Sequence, residues 1–556
     1  MTQLVVTEPE PITKIQQDDQ ASSNSSSLLD RIYAFLQHHY KDLEGTFYSR
    51  TDNAFGRHPE YLFDTPHGYW GGEPTDPLPP DHSDRFWKAA EQMIVNATKI
   101  IDIINLGLPS AQFKQAIIRG IANNKSLRAS KPLLVRILAG RSGLTWMSDD
   151  TKRFVSDVHA AIKNERWADF LSLYVGAQRV DRRLRPVGWN HGKYLAVDGS
   201  TILFGGHNFI GEPYFGVNPI FDLSIKLDGP VTVKAHLFSD QLWKFVNKYY
   251  NGEFTTYSDA LYRNKVQKRA APMSGLKGNE VISSSAMSTD VPILHVTQPG
   301  LGLLGDEDFS NPSASAMLCA FRNAKKLICL SQQDLGGAGG LSGPVEGSRW
   351  ATEGGVPYVS ISEPLSNISR WQYYDVNIFN ELSGNLARNR HLKIKLLLTN
   401  PGATSEDGVE YSYGASVANA YRAFGWFLVK RQGVSLGDAE KIITEQIEFR
   451  TLGFRTTKQW QVGPKKIMGN HAKFWAVDDE VCYVGSHNMY PLTKEVATVL
   501  LTAHHQEWGA VIGNNANGVV PGIVHDYFDN VFNSSIATQF SPFFLNNLRD
   551  PSGPWP

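Results

Sequence analysis

The stretch NHGKYLAVDGSTILFGGHN at residues 190–208 recurs, with few changes, as NHAKFWAVDDEVCYVGSHN at residues 470–488. Each copy has the pattern His-x-Lys-x-x-x-x-Asp, followed by two small residues and then His-Asn. A single copy would be a weak motif, because such short patterns arise in unrelated proteins. Two copies with matching downstream residues indicate that the chain is a duplication with one motif in each half.

The segments around the motifs repeat in the same order. In each half, a helical segment leads into an apolar strand, and a second helix leads into a further strand. Strands that alternate with helices predict an α/β fold built of βαβ units, with a mainly parallel sheet in each half. The predicted strands span residues 99–106 and 132–140 in the first half, and 326–335 and 393–400 in the second.

Composition predicts how the chain divides. Residues 1–27 are polar and end in a run of Ser and Asn, which is typical of a disordered tail. Residues 265–312 are rich in Ser, Gly and Pro with little periodicity, which predicts a linker. We therefore expect a first lobe at 28–264 and a second at 313–556.

The net charge, the cysteines and the N-terminal sequence limit the partners and the cellular location that can be expected for this chain. The 54 basic and 55 acidic side chains give a net charge of -1, so no global field attracts nucleic acid or an anionic membrane. The three cysteines lack metal-ligand spacing and are expected to be buried thiols. The N-terminus has no secretion-signal pattern, and no apolar stretch could span a bilayer. These features predict a soluble protein, either cytoplasmic or exported by a non-classical route.

Strand geometry gives the motif its chemical meaning. Residues two apart on a strand share a face, so His191 and Lys193 are expected to be neighbours. The Asp-Gly at 198–199 suits a tight hairpin that returns Gly205 and Gly206 near the histidine, where small residues would leave room for a phosphate. The motif aspartates Asp198 and Asp478 have the opposite parity, so we expect them to be structural.

Joining the two halves would put two imidazoles, two ammonium groups and two Asn side chains around one pocket. One neutral His could attack phosphorus while the other protonates the leaving alkoxide. The Lys and Asn side chains would stabilise the transition-state oxygens. This set fits a phosphodiester and requires neither a metal nor another cofactor. The predicted catalytic residues are His191, Lys193, His471, Lys473, Asn208, Asn488, Asp222 and Glu507.

A catalytic histidine also needs an acceptor for its second ring nitrogen. Asp222 in the first half and Glu507 in the second follow their motifs on strand-like segments. Which carboxylate orients which histidine stays open at this point. His207 and His487, which precede the motif asparagines, are expected to make structural hydrogen bonds.

Several further segments carry a resemblance to a known family. They are LEGTFYSRT at 43–51, TPHGYWGG at 65–72, LSQQDL at 330–335, YDVNIFNEL at 374–382 and GSHNMYP at 485–491. With the paired motifs, the chain resembles the phospholipase D superfamily, and more closely its Streptomyces-type bacterial branch, over residues 28–545.

The resemblance implies two α/β/α sandwich lobes, packed as a pseudo-twofold pair. It also implies hydrolysis of lipids such as phosphatidylcholine to phosphatidic acid, and transfer to alcohols in place of water. His191 would be the nucleophile and His471 the acid and base, while Tyr214 and Tyr411 would line the head-group pocket. A phospholipid at a membrane or micelle surface is the expected partner of a monomer, and nucleic acid is not.

The sequence departs from the family at Tyr69, where a cysteine is expected, and in a longer segment between the second motif and Glu507. The first departure argues against extracellular residence, and the second predicts a reshaped pocket rim. Two alternatives stay open. One is an enzyme of the same fold that acts on nucleic acid or on another phosphodiester, including a phosphatidyl transferase. The other is a non-catalytic scaffold, which intact motifs in both halves disfavour.

Overall fold

The computed structural model describes most of the 556 residues. The described residues are 26–55, 60–68, 81–141, 151–179, 190–211, 214, 219–250, 255–258, 267–278, 290–300, 303–304, 310–339, 371–374, 376–399, 403, 417–453, 469–489 and 505–538.

Within these described ranges, the strands form two nine-stranded sheets and one two-stranded antiparallel sheet. The first sheet has the order β10-β9-β5-β4-β3-β6-β7-β8-β2, and the second β1-β11-β19-β18-β17-β12-β15-β16-β20. The bounds are β1 Tyr48–Asn53, β2 Leu62–Thr65, β3 Ile100–Asn105, β4 Leu133–Arg141, β5 Leu171–Arg179, β6 Tyr194–Val197, β7 Thr201–Gly205, β8 Asp222–Asp228, β9 Thr255–Ser258, β10 Gln267–Lys268, β11 Val291–Gln298, β12 Leu327–Gln332, β13 Gly336–Gly339, β14 Trp371–Tyr374, β15 Lys393–Leu398, β16 Ile447–Thr451, β17 Lys473–Val477, β18 Val481–Gly485, β19 Glu507–Gly513 and β20 Ile536–Ala537.

Helices connect and cover these strands. The α-helices are Leu28–His39, Asp84–Asn96, Ala111–Ala122, Lys125–Arg128, Thr151–Ile162, Val231–Tyr250, Pro312–Arg322, Val376–Arg388, Val417–Trp426, Leu436–Gln446, Val519–Ile523 and Asn530–Ser534, with 3-10 turns at Lys41–Leu43 and Arg166–Phe170 and π-helical turns at Phe427–Arg431 and Val524–Asp529.

The two sheets confirm the α/β fold with two similar lobes. The strands β3, β4 and β5 are parallel neighbours, as are β12, β15 and β16, and these triplets contain the predicted strands. The prediction of mainly parallel sheets is wrong, however. Each motif forms a hairpin, β6–β7 or β17–β18, and a hairpin makes its strands antiparallel to each other.

Sheet membership crosses the predicted division of the chain. Strand β1, from the predicted first lobe, pairs with β11, from the predicted linker, and β11 pairs in turn with β19. Seven of the eight β11 residues are buried, because apolar side chains on both faces pack against helices or the other lobe. The segment at 265–312 therefore supplies a structural strand of the second sheet.

Aromatic side chains join the lobes through a shared core. Phe204 of β7 lies edge-on to Trp508 of β19, with ring centroids 4.7 Å apart. Phe221 stacks on Tyr527 at 5.7 Å. Each fully buried ring contributes roughly 1.5 to 3 kcal/mol relative to exposure, so separation of the lobes would be unfavourable. The core holds the two motif hairpins together.

Two sequence predictions concern the whole chain. Cys319, Cys329 and Cys482 are buried and unbridged, as predicted. Within the described ranges, no helix combines the length and the apolar character needed to cross a bilayer.

Candidate active site

The two motifs begin at matching backbone contacts between the lobes. Asn190 forms a parallel bridge with Gln506, and Asn470 forms one with Phe221. The N–H of the histidine after each asparagine donates to the carbonyl of that same partner, at 2.8 Å in the first contact and 2.7 Å in the second. This arrangement relates the halves by an approximate twofold axis and brings both motifs to one interface.

The histidines are oriented by carboxylates from the opposite half. His191 Nδ1 lies 2.8 Å from Oε1 of Glu507, and His471 Nδ1 lies 2.7 Å from Oδ2 of Asp222. All four side chains are buried. The pairing that the sequence leaves open is thus crossed. Each half of the site is complete only when both lobes are present.

The small residues after the hairpins serve the carboxylates. A Cβ on Gly206 would lie 1.9 Å from Oδ1 of Asp222, so only glycine permits the close approach. In the other half, Ser486 donates from its hydroxyl to Oε2 of Glu507 at 2.6 Å. The prediction that Gly206 leaves room for a substrate phosphate is therefore wrong. The space beside this glycine is occupied by the carboxylate of Asp222.

Two buried ammonium groups lie beside the histidines. Lys193 Nζ donates to the carbonyl of His191 at 2.6 Å, and Lys473 Nζ donates to that of His471 at 2.5 Å. Burial lowers the pKa of Lys193 to about 8, against the raising influence of Glu507 and Asp222. Burial, with the charge of Lys193, lowers the pKa of Lys473 to about 7. Both ammonium groups can therefore lose their charge near neutral pH.

The same environment keeps the imidazoles neutral in the free protein. Burial and the charges of Lys193 and Lys473 lower the pKa of His191 well below its usual value, and the charge of His471 adds to this. Burial and the same two lysines lower the pKa of His471. A neutral imidazole whose Nδ1 faces a carboxylate can present a lone pair on Nε2. This is the form that a nucleophile requires.

The motif asparagines are also buried at this interface. The side-chain oxygens of Asn208 and Asn488 have no hydrogen-bond partner among the described residues. A buried polar atom without a partner is unfavourable and is characteristic of functional sites. Both predicted asparagines are thus placed where a bound ligand could contact them.

The neighbouring histidines are held by hydroxyl groups. His207 lies 2.7 Å from Oγ1 of Thr65 and 2.8 Å from Oγ of Ser224, so both of its ring nitrogens are engaged. His487 Nδ1 lies 2.8 Å from Oγ of Ser313. These contacts agree with the structural hydrogen bonding expected for the pair.

The motif aspartates brace the hairpins from behind. Asp198 accepts hydrogen bonds from the backbone N–H groups of residues 98, 99 and 100, at 2.6 to 2.9 Å. Asp478 accepts from those of residues 325, 326 and 327 at 2.6 to 2.8 Å. The hydrogen bonds tie each motif hairpin to the start of β3 or β12. The geometry matches the structural role predicted for both aspartates.

Of the two tyrosines predicted at the head-group pocket, the structure describes only Tyr214. Tyr214 is buried, its hydroxyl donates to Oδ2 of Asp222 at 3.0 Å, and it accepts from the N–H of Asn208 at 3.0 Å. Its hydroxyl group therefore supports the carboxylate of the site, and the predicted contact of Tyr214 with a head group stays a prediction. Tyr411 lies outside the described residues.

The structure adds one residue that the sequence analysis did not select. His505 is buried, and its ring centroid lies 5.4 Å from that of His191 at an interplanar angle of 33°. His505 lies two residues before Glu507, and residues two apart in an extended segment point to the same face. This spacing could have indicated that His505 lies near the site. A lone histidine outside the duplicated motif gave no reason to select it.

The chain is similar to several known proteins. No family model matches the chain. A phospholipase D from Streptomyces antibioticus is 24% identical over 507 residues, which cover 83% of this chain and 82% of that protein. Two solved structures are also similar. A phosphatidylserine synthase from Haemophilus influenzae Rd KW20 has a TM-score of 0.47 at 12% identity, covering 90% of this chain and 94% of that one. A phospholipase D family member, Nuc from Salmonella typhimurium, has a TM-score of 0.22 at 15% identity, covering 41% and 91%.

The two lobes and their shared site define a class of duplicated α/β proteins in which each half supplies one His-x-Lys motif. Similarity to the Streptomyces protein extends over most of both chains. The chain is therefore similar to a member of the phospholipase D family over most of its length.

Proposed function

We propose that this protein is a phospholipase D that hydrolyses the head-group phosphodiester of lipids such as phosphatidylcholine and can transfer the phosphatidyl group to alcohols. The crossed pairs His191–Glu507 and His471–Asp222 are the observation that carries the proposal. They supply two oriented imidazoles to one interface, as a double displacement at phosphorus requires. The similarity to a phospholipase D supports the choice of a lipid substrate.

In the first step, Nε2 of His191 attacks phosphorus and forms a P–N bond. The bond to the head-group oxygen breaks, and that oxygen takes a proton from His471. The bound phosphate is anionic and counteracts the two lysine charges, which favours protonated His471 in the complex. Lys193 and Lys473 stabilise the negative oxygens of the transition state.

In the second step, neutral His471 removes a proton from water or an alcohol, whose oxygen attacks phosphorus. The P–N bond breaks and His191 returns to its starting form. Water gives phosphatidic acid, and an alcohol gives the new phosphatidyl ester. A lipid surface supplies the substrate, since a water-soluble protein must draw a phospholipid from a membrane or micelle.

The decisive assay offers phosphatidylcholine vesicles to the full chain in the presence and absence of ethanol. We expect phosphatidic acid without ethanol, and phosphatidylethanol in addition when ethanol is present. Parallel incubations with single-stranded and double-stranded DNA test the nuclease alternative. Release of nucleotides that depends on His191, without any lipid product, would replace the proposed function.

The rate is expected to fall as pH rises from about 7 to above 8. The ammonium charges of Lys473 and Lys193 are present below their pKa values of about 7 and about 8 and are lost above them. Loss of positive charge weakens transition-state stabilisation. The measurement is kcat/KM against pH with a soluble short-chain phosphatidylcholine, because kcat/KM reports the free enzyme.

Lys473→Arg provides the control for this pH dependence. Arginine stays protonated throughout the range, so the variant should lose the component of the alkaline decline near pH 7 even if its overall rate is lower. A wild-type profile that is flat between pH 6 and 9 would contradict the assignment of charge stabilisation to the lysines.

The crossed pairing predicts different defects for the two carboxylates. Glu507→Gln should impair formation of the phosphohistidine, because it disorients His191. Asp222→Asn should impair protonation of the leaving group, because it disorients His471. We expect each to lower kcat by about 10²- to 10⁴-fold, the range found when an orienting carboxylate or general catalyst is lost.

A phosphatidyl ester of p-nitrophenol separates these defects, since the phenolate leaves without a proton. The burst of nitrophenolate should recover in Asp222→Asn and remain slow in Glu507→Gln. The reverse pattern would show that the pairs are not crossed in function.

A further inference from the structure

A third imidazole stands beside one histidine–carboxylate pair. His191, His505 and Glu507 are all buried, and each offers one ligand atom within 4.8 Å of the others. The rings of the two histidines lie 5.4 Å apart. Two imidazoles and one carboxylate form a donor set that zinc accepts.

The opposite half lacks this third donor. The bridges of Asn190 with Gln506 and of Asn470 with Phe221 place His505 and Ile220 at corresponding positions, one residue before each bridge. Isoleucine has no ligand atom, so the pair of His471 and Asp222 has no counterpart to His505. The two halves of the site therefore differ in their chemistry at this position.

We propose that His191, His505 and Glu507 bind a zinc ion, and that the ion inhibits the enzyme reversibly. Nitrogen and carboxylate ligands favour zinc and its neighbours in the transition series over calcium or magnesium, which prefer oxygen alone. Zinc–ligand bonds of about 2.0 to 2.1 Å put tetrahedral ligands roughly 3.4 Å apart. The present spread of up to 4.8 Å therefore has to contract, which rotation of the His505 ring can supply.

The contacts of the pair determine how the ion would enter. His191 Nδ1 already faces Oε1 of Glu507, so zinc would take the place of the hydrogen between them, and the single ring hydrogen of neutral His191 would then be carried on Nε2. Oε2 of Glu507 would keep its hydrogen bond from Ser486. The nearby charges of Lys193 and Lys473 oppose a dication, so we expect weaker binding than at a structural zinc site.

Zinc would inhibit the reaction because it fixes the tautomer of His191, and this consequence rests on the proposed function. A neutral His191 that binds zinc through Nδ1 carries its hydrogen on Nε2. That nitrogen then has no lone pair with which to attack phosphorus. The binding itself does not depend on the reaction that the protein catalyses.

Equilibrium dialysis of the full chain against ZnCl₂, after chelator treatment and removal of the chelator, tests the site. We expect one bound zinc per wild-type chain at saturation and an affinity at least about tenfold lower in His505→Ile, which copies the residue of the other half. His525→Gln removes an exposed histidine 2.8 Å from Asp526 and should bind as the wild type does. Equal affinity of His505→Ile and wild type would overturn the proposal.

Cobalt offers a measurement on the unmodified chain should His505→Ile fail to fold. Co²⁺ bound by two histidines and a carboxylate at low coordination number gives visible d–d absorption that is much stronger, and at longer wavelength, than that of aqueous Co²⁺. We expect this absorption to saturate at one equivalent and to disappear on addition of zinc. Its absence from wild type would also overturn the site.

A lipid assay then tests the consequence separately. Zinc should inhibit phosphatidylcholine hydrolysis over the concentration range in which it binds, and at least about tenfold more zinc should be needed in His505→Ile. Inhibition at equal concentrations would show that the ion acts elsewhere. If no lipid product forms under any condition, the proposed function fails while dialysis and cobalt absorption still decide the metal site.

Discussion

Replacement of His191 by asparagine is expected to lower phosphatidylcholine hydrolysis by about 10³-fold or more, with thermal unfolding close to that of the wild type. Removal of a nucleophile or a general acid generally causes losses of this order. Asparagine can still donate a hydrogen bond toward Glu507, which now accepts one from His191 Nδ1 at 2.8 Å. The buried carboxylate thus keeps a partner, and the measured loss reports the missing nucleophile.

His471→Asn is the matched variant, because His471 occupies the corresponding position and faces Asp222 at 2.7 Å. Both variants should be nearly inactive on phosphatidylcholine. With the p-nitrophenyl ester, His471→Asn should regain the nitrophenolate burst and accumulate phosphohistidine, since the first step no longer needs an acid. His191→Asn should do neither.

Acid-free quenching and phosphorus labelling identify the modified residue. Label on His471 in the His191→Asn variant would reverse the assigned roles. Equal activity of the wild type and both variants would support a non-catalytic scaffold. His525→Gln, an exposed histidine far in sequence from either motif, controls for general effects of histidine loss.

The centre of this site could be predicted because its catalytic residues lie close together in the sequence, within a motif that occurs twice. His191, Lys193 and their counterparts recur at fixed spacing, and apolar strands with helices between them indicate the α/β lobes. The crossed pairing could not be predicted, since it depends on which strand ends meet across the lobes. Glu507 contacts a histidine 316 residues away along the chain.

Other differences have equally specific physical causes. The resemblance predicted Tyr214 at the head-group pocket, but the sequence did not show that its hydroxyl contacts Asp222. Gly206 was predicted to leave room for a ligand, but the carboxylate of Asp222 fills that space. Strand β11 lies in a segment whose Ser, Gly and Pro content masked a short apolar run that is buried on both faces. In each case the local pattern did not show a tertiary contact that the fold creates.

The linker segment also helps to form a buried ionic cluster in the first lobe. Arg136 on β4 is fully buried and makes two hydrogen bonds of 2.7 Å with Asp102 and one of 2.6 Å with Asp240. Its guanidinium also donates to the carbonyl of Pro272 at 2.7 Å, and Ser274 donates to Asp240. Burial raises the pKa of Asp102, but the charge of Arg136 and the hydrogen bond with His236 together outweigh this and lower the pKa overall.

Arg136→Met should therefore destabilise the protein by about 3 to 5 kcal/mol, because it leaves two buried carboxylates without their common partner. The measurement is urea unfolding of the full chain, taken from the first transition. Arg119→Met is the control, since Arg119 and Glu91 form a partly exposed pair and its loss should change stability by no more than about 1 kcal/mol. The triple variant Arg136→Met, Asp102→Leu, Asp240→Leu should regain part of the loss, because no buried charge is then left unpaired. A loss in Arg136→Met as small as that in Arg119→Met would mean that water reaches the cluster and replaces the guanidinium.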